Sequence, residues 1–348
     1  MLSVDIFCRV IDNYGDIGVC WRLAQHLQPY AQVRLFVDQL TAFAHIEPLV
    51  HSNLPSQQLQ HIHILPWEAA HCSTLTPAKL VIESFGCDLP PAYVQRMPAS
   101  TQLWLNLDYL SAEPWVESLH LLPSPQANGV PKYFFYPGFT AQTGGLIPPF
   151  STPSVDPDFW HSLQHKPPTT ERVAFVFPYA HAPLDALYQA LSQSKQSWTV
   201  LLAATAPTPT ARQCALLPIY QLPFISQQQF DQLLDYADLN LIRGEDSFVR
   251  AIWAQRPFIW QPYVQSDDLH LEKLEAWLQS TPFTACITQL MQTWNTGSVQ
   301  PAQLIHALNQ WEQWQCQCQH YAHQLQQHPP LITQLLAFYS QIVQKTVK

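Results

Sequence analysis

The sequence predicts an α/β protein made of two doubly wound, Rossmann-like halves, each built on a parallel sheet. Three observations carry that expectation. From the amino terminus, short β-rich runs alternate with helical stretches, the pattern of a parallel sheet with right-handed crossovers. A proline-punctuated stretch then interrupts it, from Ile147-Pro148-Pro149 through Pro153 and Pro157. Prolines at this density suit a semi-rigid linker. Beyond it the alternation restarts. The chain has 348 residues, the length of two domains, and its 47% apolar content is enough for two cores.

Taken in order, Val4–Val10 is apolar and β-branched and reads as the first strand. It runs into Ile11-Asp12-Asn13-Tyr14-Gly15-Asp16-Ile17-Gly18. A helix is expected next, because Cys20, Leu23, Ala24 and Leu27 recur at the spacing of a buried stripe. Val33–Val37, Ile62–Leu65, Leu80–Glu83 and Leu103–Leu107 read as further strands. In the second half, Val173–Phe177, Thr199–Ala203, Leu239–Arg243 and Phe258–Tyr263 read as strands. Asp185–Leu191, Gln227–Tyr236 and Ser247–Ala254 read as helices. From about Asp268 the chain is expected to be helical. Gln303–Gln327 is expected to form a packed amphipathic helix, since Leu304, Ile305, Leu308 and Trp311 keep helical spacing among its glutamines. Two such halves place a cleft between them. In open α/β sheets the ligand site lies beyond the carboxyl ends of the strands.

Composition narrows the function classes. With 16 Lys+Arg against 25 Asp+Glu the net charge is −9, and no basic run is present, which argues against nucleic acid as a partner. Charged residues make up only 12%, about half the usual 25%. The 12 Trp, 13 Tyr and 17 Phe exclude a disordered chain. No apolar run reaches the roughly 20 residues of a membrane helix. The start, Met1–Asp5, lacks a basic, then apolar leader, so a soluble cytoplasmic protein with no membrane partner is expected. The eight cysteines lie scattered in apolar segments, as reduced core thiols do. Cys316-Gln317-Cys318 misses both the CxxC and the zinc spacing, so no metal is expected.

Two loops carry the candidate chemistry. In the first, Gly15 and Gly18 are two of nine glycines. Glycine permits positive φ and close approach of a ligand to the backbone. The loop opens a helix whose amides can hold an anion or a polar sugar. It is not GxGxxG, and Asp12 and Asp16 would repel a dinucleotide pyrophosphate. They fit an acceptor that carries protons or positive charge. The residues alone leave a second reading open, in which Asp16 caps the helix and Asp12 makes an Asx-turn. In the second loop, Leu241-Ile242-Arg243-Gly244-Glu245-Asp246-Ser247-Phe248, a strand ends at Arg243, Gly244 turns, and Asp246 or Ser247 caps a helix. Arg243, the amides and a hydroxyl at a helix start suit a diphosphate, and Glu245 can accept from ribose hydroxyls. The bland reading is a capped helix with an Arg243–Glu245 surface pair. Phe177-Pro178-Tyr179, Phe224 and Phe230 stand where aromatics can clamp a nucleobase or pack a deoxysugar. Core packing is the competing role for each of them.

The run Phe7-Cys8-Arg9-Val10-Ile11-Asp12-Asn13-Tyr14-Gly15-Asp16-Ile17-Gly18-Val19-Cys20-Trp21-Arg22-Leu23-Ala24 resembles the opening of the EarP family, bacterial protein-arginine rhamnosyltransferases that modify elongation factor P. Arg243-Gly244-Glu245-Asp246-Ser247-Phe248 is similar to that family's donor loop, and Phe177-Pro178-Tyr179 with Phe224, Gln227 and Phe230 fit it too. The resemblance implies a GT-B glycosyltransferase, its two Rossmann-like domains facing across a cleft. Residues 1–155 would form the acceptor domain, 170–329 the donor domain, and 330–348 a final helix packing back on the first. The donor would be dTDP-β-L-rhamnose, with no cofactor, and the acceptor an arginine of elongation factor P. Transfer would invert the anomeric carbon without a metal. The resemblance assigns Asp16 as general base and Asp12 as its orienting partner. Asn13, Tyr14, Gly15, Phe177, Tyr179, Phe224, Gln227, Phe230, Arg243, Glu245, Asp246 and Ser247 would bind the donor. The nearest alternative is a sugar-nucleotide glycosyltransferase with a small-molecule acceptor. A nicotinamide oxidoreductase on the same fold class lacks its GxGxxG here. A module that binds a translation factor without chemistry is the non-enzymatic reading.

Overall fold

A computed structural model describes residues 1–12, 14–151 and 154–346. They divide into two units, Met1–Pro148 with Gln326–Lys348, and Pro149–Leu325. The first unit holds β1 (Leu2–Cys8), β2 (Ala31–Val37), β3 (Gln57–Leu59), β4 (Ile62–Pro66), β5 (Leu80–Ser84), β6 (Leu103–Leu107) and β7 (Lys132–Phe135). They pair in the order β3-β4-β2-β1-β5-β6-β7, parallel except for the β3–β4 hairpin. Alternation along β1 sorts its side chains between two cores. Val4, Ile6 and Cys8 join Ile17, Cys20 and Trp21 of the Gly15–Leu27 helix. Phe7 enters a second cluster with Phe36, Trp67 and Tyr93 on the opposite face, where its ring stacks on Phe36 at 4.5 Å. The Leu331–Thr346 helix sends Leu331, Ile332, Leu335, Phe338 and Ile342 into the first of these cores.

The second unit holds β8 (Arg172–Val176), β9 (Trp198–Leu202), β10 (Ile219–Gln221), β11 (Leu239–Arg243) and β12 (Phe258–Gln261). Their order is β10-β9-β8-β11-β12, all parallel. In each sheet the parallel strands lead off to opposite sides from one switch point, between β1 and β5 and between β8 and β11. Loops that leave the carboxyl ends of those strands border the crevice where open α/β sheets bind ligands. The Asp12–Gly18 loop follows β1. Phe177–Tyr179 follows β8, and Gly244–Ser247 follows β11.

Several local expectations change. Pro157 belongs to no linker: it opens the Pro157–Ser162 helix, capped by Asp156, whose Oδ1 accepts from the Phe159 amide at 2.8 Å. Pro153 lies outside the described residues. The expected Gln303–Gln327 helix is two, Pro301–Leu308 and Trp311–Leu325, broken at Asn309-Gln310. The last strand stops at Gln261, and Tyr263 beyond it is exposed. Of the cysteines, Cys8, Cys20, Cys87 and Cys318 are core thiols, whereas Cys72, Cys214 and Cys316 are exposed.

Candidate active site

The acidic loop is folded onto itself by hydrogen bonds that its own sequence supplies. The Gly15 amide donates to the Asp12 carbonyl at 2.7 Å. Gly15 does not take a positive φ. Glycine is needed there for closeness, because a Cβ would lie 2.8 Å from Asp12 Oδ2. Asp16 is not the helix cap: that position is Tyr14. Its carboxylate turns back under the loop, and Oδ2 accepts from the Ile11 amide at 2.7 Å and the Asp12 amide at 2.9 Å. Asp16 is 2% exposed. Burial raises its proton affinity above the ordinary aspartate range, and the Asp38 carboxylate adds to that. The two amides and a hydrogen bond with Tyr109 oppose the rise without cancelling it. A fixed carboxylate with raised proton affinity has the properties of a general base. Asp12 beside it is half-buried. The Tyr14 hydroxyl meets His45 Nδ1 at 3.3 Å. Asn13 lies outside the described residues.

Two neighbours of Asp16 escaped the sequence reading. Tyr109 comes off the end of β6, and its ring stacks on Phe85 at 4.5 Å. Phe85 follows β5 with a left-handed φ of 58° and is tied by its amide to the Leu107 carbonyl at 2.7 Å. Asp38 follows β2, and its Oδ1 accepts from the Val10 amide at 2.9 Å. Neither residue sits in a motif. The available signal was position alone: Asp38 directly follows β2, which pairs with β1, and Tyr109 nearly follows β6, one strand further out beyond β5.

The second unit assembles a cationic site on an aromatic floor. The Arg243 guanidinium lies 4.5 Å from the Phe177 ring centre and 4.6 Å from that of Tyr179. Stacking uses the faces of the guanidinium and leaves its in-plane N–H donors to define hydrogen bonding. Gly244 has a φ of 68°, which glycine adopts at no steric cost. Its carbonyl accepts from Trp260 Nε1 at 2.7 Å. The cap of the following Asp246–Ala254 helix is Glu245, not Asp246 or Ser247. The Glu245 carboxylate pairs with Lys273 at 3.2 Å. Ser247 is half-buried in the first turn.

Beneath this floor lies a buried ion cluster that sequence reading missed. Arg250 is 6% exposed and binds Asp231 at 2.6 Å, Asp246 at 2.9 Å and the Gln227 carbonyl at 2.5 Å. Its guanidinium lies 4.9 Å over the Phe230 ring. Asp246 thus serves Arg250 with its side chain, so its amide is the group that can meet a ligand. Phe230 is buried, edge-on to Phe175 at 5.2 Å and to Phe177 at 5.4 Å. It supports the floor from below. Phe224 is 54% exposed, on the segment before the Ser226 cap of the Gln227–Tyr236 helix. Among the described residues no three His, Cys, Asp or Glu side chains group to hold a metal, and no helix is long and apolar enough to cross a membrane.

Comparison with known proteins adds an independent line. The sequence profile of the family described as Elongation-Factor P (EF-P) rhamnosyltransferase EarP matches residues 4–340. The protein-arginine rhamnosyltransferase of Pseudomonas putida KT2440 is 38% identical, with 96% of this chain and 98% of that relative covered. That of Pseudomonas aeruginosa PAO1 is 36% identical, with coverage of 98% and 99%. The fold is similar to a solved structure describing EarP-mediated arginine glycosylation of translation elongation factor EF-P, with TM-score 0.62, 24% identity and coverage of 98% and 99%. It is also similar to the glycosyltransferase VinC in complex with dTDP, with TM-score 0.57, 12% identity and coverage of 99% and 100%.

Proposed function

The chain belongs to the EarP family of EF-P rhamnosyltransferases, and from that premise we propose how its two loops perform the transfer. The fold is a GT-B arrangement of two parallel-sheet units, and the activity is rhamnosylation of an arginine side chain of elongation factor P. The donor is dTDP-β-L-rhamnose. An acceptor that is a translation factor supports a cytoplasmic reaction. The observation that carries the mechanism is the Asp16 carboxylate: buried, held by two backbone amides, and raised in proton affinity at the β1–β5 switch point.

A guanidinium is a poor nucleophile because it stays protonated in water. Attack on the anomeric carbon forms a C–N bond, breaks the bond to the diphosphate oxygen and releases one N–H proton. Asp12 orients the guanidinium fork, and Asp16 takes the proton as the bond forms. The developing sugar resembles an oxocarbenium ion. Attack on the face opposite the leaving dTDP gives inversion and an α-linked product. Arg243, with the amides of Asp246 and Ser247, holds the charge of the departing diphosphate. Tyr179, Phe177 and Phe224 pack the donor's rings, with Phe230 as their support. Glu245 faces the ribose. The cationic cradle takes the place of a metal ion.

The test is incubation of the chain with EF-P and dTDP-β-L-rhamnose in the presence of a chelator, followed by peptide mapping and anomeric NMR. The proposal expects one α-rhamnosyl arginine and unchanged turnover. Loss of turnover on chelation removes the metal-free step. Transfer of rhamnose to a small acceptor with release of dTDP, and EF-P unmodified, favours the small-molecule glycosyltransferase instead.

A further inference from the structure

We infer that Gln261 is a positioning residue for the donor diphosphate, locking the aromatic floor and the turn on either side of Arg243 into one rigid unit. The inference rests on the reading of Arg243 as the diphosphate-holding group. Gln261 ends β12 and is the register partner of Arg243 on β11. It is 3% exposed, and a buried amide must find partners for both of its ends. Its Oε1 accepts from the Tyr179 amide at 3.1 Å, so the side chain spans the end of β11 to reach the loop after β8. Its Nε2 meets His181 Nε2 at 3.1 Å. Its own carbonyl accepts from the Gly244 amide at 3.0 Å.

These bonds fix the orientation of the amide. A peptide N–H can only donate, so the oxygen must face Tyr179. The NH2 group then donates to His181, whose Nε2 must carry the lone pair. The His181 ring in turn lies parallel to Tyr179, 6.0 Å away at 4°. One residue therefore ties two segments: its side chain sets the backbone of Tyr179 and the ring beside it, and its backbone carbonyl holds the Gly244 turn. Arg243 stands between those two anchored segments, 4.6 Å from the Tyr179 ring. The Phe177 end of the floor is held by its own amide on the Leu241 carbonyl at 2.7 Å and by Phe230; the Gln261 amide fixes the Tyr179 end.

Gln261→Met keeps length and removes both side-chain bonds. Calorimetry with dTDP and kinetics with each substrate varied give the readout. The dTDP Kd and the donor KM should rise about tenfold, the effect of losing a buried hydrogen-bond pair, while the KM for EF-P stays unchanged. A structural role alone would move both KM values together. His181→Phe keeps the stack and removes the acceptor, and should give a smaller rise in the same constants. If Arg243→Ala weakens dTDP binding but Gln261→Met does not, the inference is overturned and the diphosphate reading stands. If Arg243→Ala leaves binding unchanged, the diphosphate reading itself fails. Should Gln261→Met not fold, an unchanged dTDP Kd in His181→Phe overturns the inference.

Discussion

Asp16→Asn separates catalysis from folding at a single atom. In the structure Oδ2 accepts two backbone N–H groups, at 2.7 and 2.9 Å. An asparagine carbonyl oxygen has two lone pairs and can accept both. The NH2 replaces the oxygen at the other end of the group, and the Tyr109 hydroxyl that meets the carboxyl can accept as readily as donate. The fold thus gives up no partner. Burial already holds the proton affinity of Asp16 above that of the unfolded chain, so at neutral pH the charge is a burden that asparagine removes. The melting temperature should stay level or rise slightly. Turnover is another matter. A positioned general base contributes about 10²- to 10⁴-fold, roughly 3–5 kcal/mol of barrier at about 1.4 kcal/mol per tenfold. Steady-state transfer to EF-P should fall by that factor, with the dTDP Kd within about twofold of the parent by the usual scale of remote substitutions. A stable variant that retains more than a third of its turnover would refute the assignment of the base.

Arg243→Ala should weaken dTDP in calorimetry by about 10- to 100-fold, the range of a charge-assisted contact; an unchanged constant rules out its phosphate role. The two aromatics that sequence grouped together should part. Phe230→Ala removes a buried ring and should lower stability by about 3–5 kcal/mol in a denaturant titration, whereas the exposed Phe224 should yield to alanine with no change in stability but a higher donor KM. Equal stability losses at both positions would contradict their placement. Acid sensitivity has a definite sign. Burial, joined at His26 by the Arg22 charge, lowers His26 and His120 from 6.5 to about 4. The unfolded chain binds these protons first, so stability is lost as pH falls from about 6.5 toward 4. The Nδ1 of His120 accepts from the Tyr136 amide at 3.1 Å, which His120→Asn can preserve without titrating. Melting temperature against pH should be flatter in that variant, and an unchanged slope would count against the assignment.

The strands legible in sequence were those with their own short apolar run. Leu103–Leu107 and Leu239–Arg243 have the bounds their residues suggest. The short edge strands Gln57–Leu59 and Ile219–Gln221 were missed, because pairing with a neighbour, not composition, makes them strands. Lys132–Phe135 hid in an aromatic run that ends at Pro137-Gly138. At the candidate site, Asp12, Asp16, Arg243 and the Phe177–Tyr179 segment were legible because each lies in a compact motif at a strand end. Tyr109, Asp38, Arg250 and Gln261 were not. Each acts through a partner set by sheet register or by helix packing, and nothing local in the sequence records who that partner is. The same limit explains Gly15, read as permitting positive φ and the close approach of a ligand when the group that excludes a Cβ there is the Asp12 side chain.

Intact-mass spectrometry of EF-P, after incubation with dTDP-β-L-rhamnose and either the parent chain or Asp16→Asn, puts the central claim to one measurement. The account predicts a gain of a single deoxyhexose with the parent and almost none with the variant over the same interval. An equal gain with both, or none with either while dTDP-rhamnose is consumed, would contradict it.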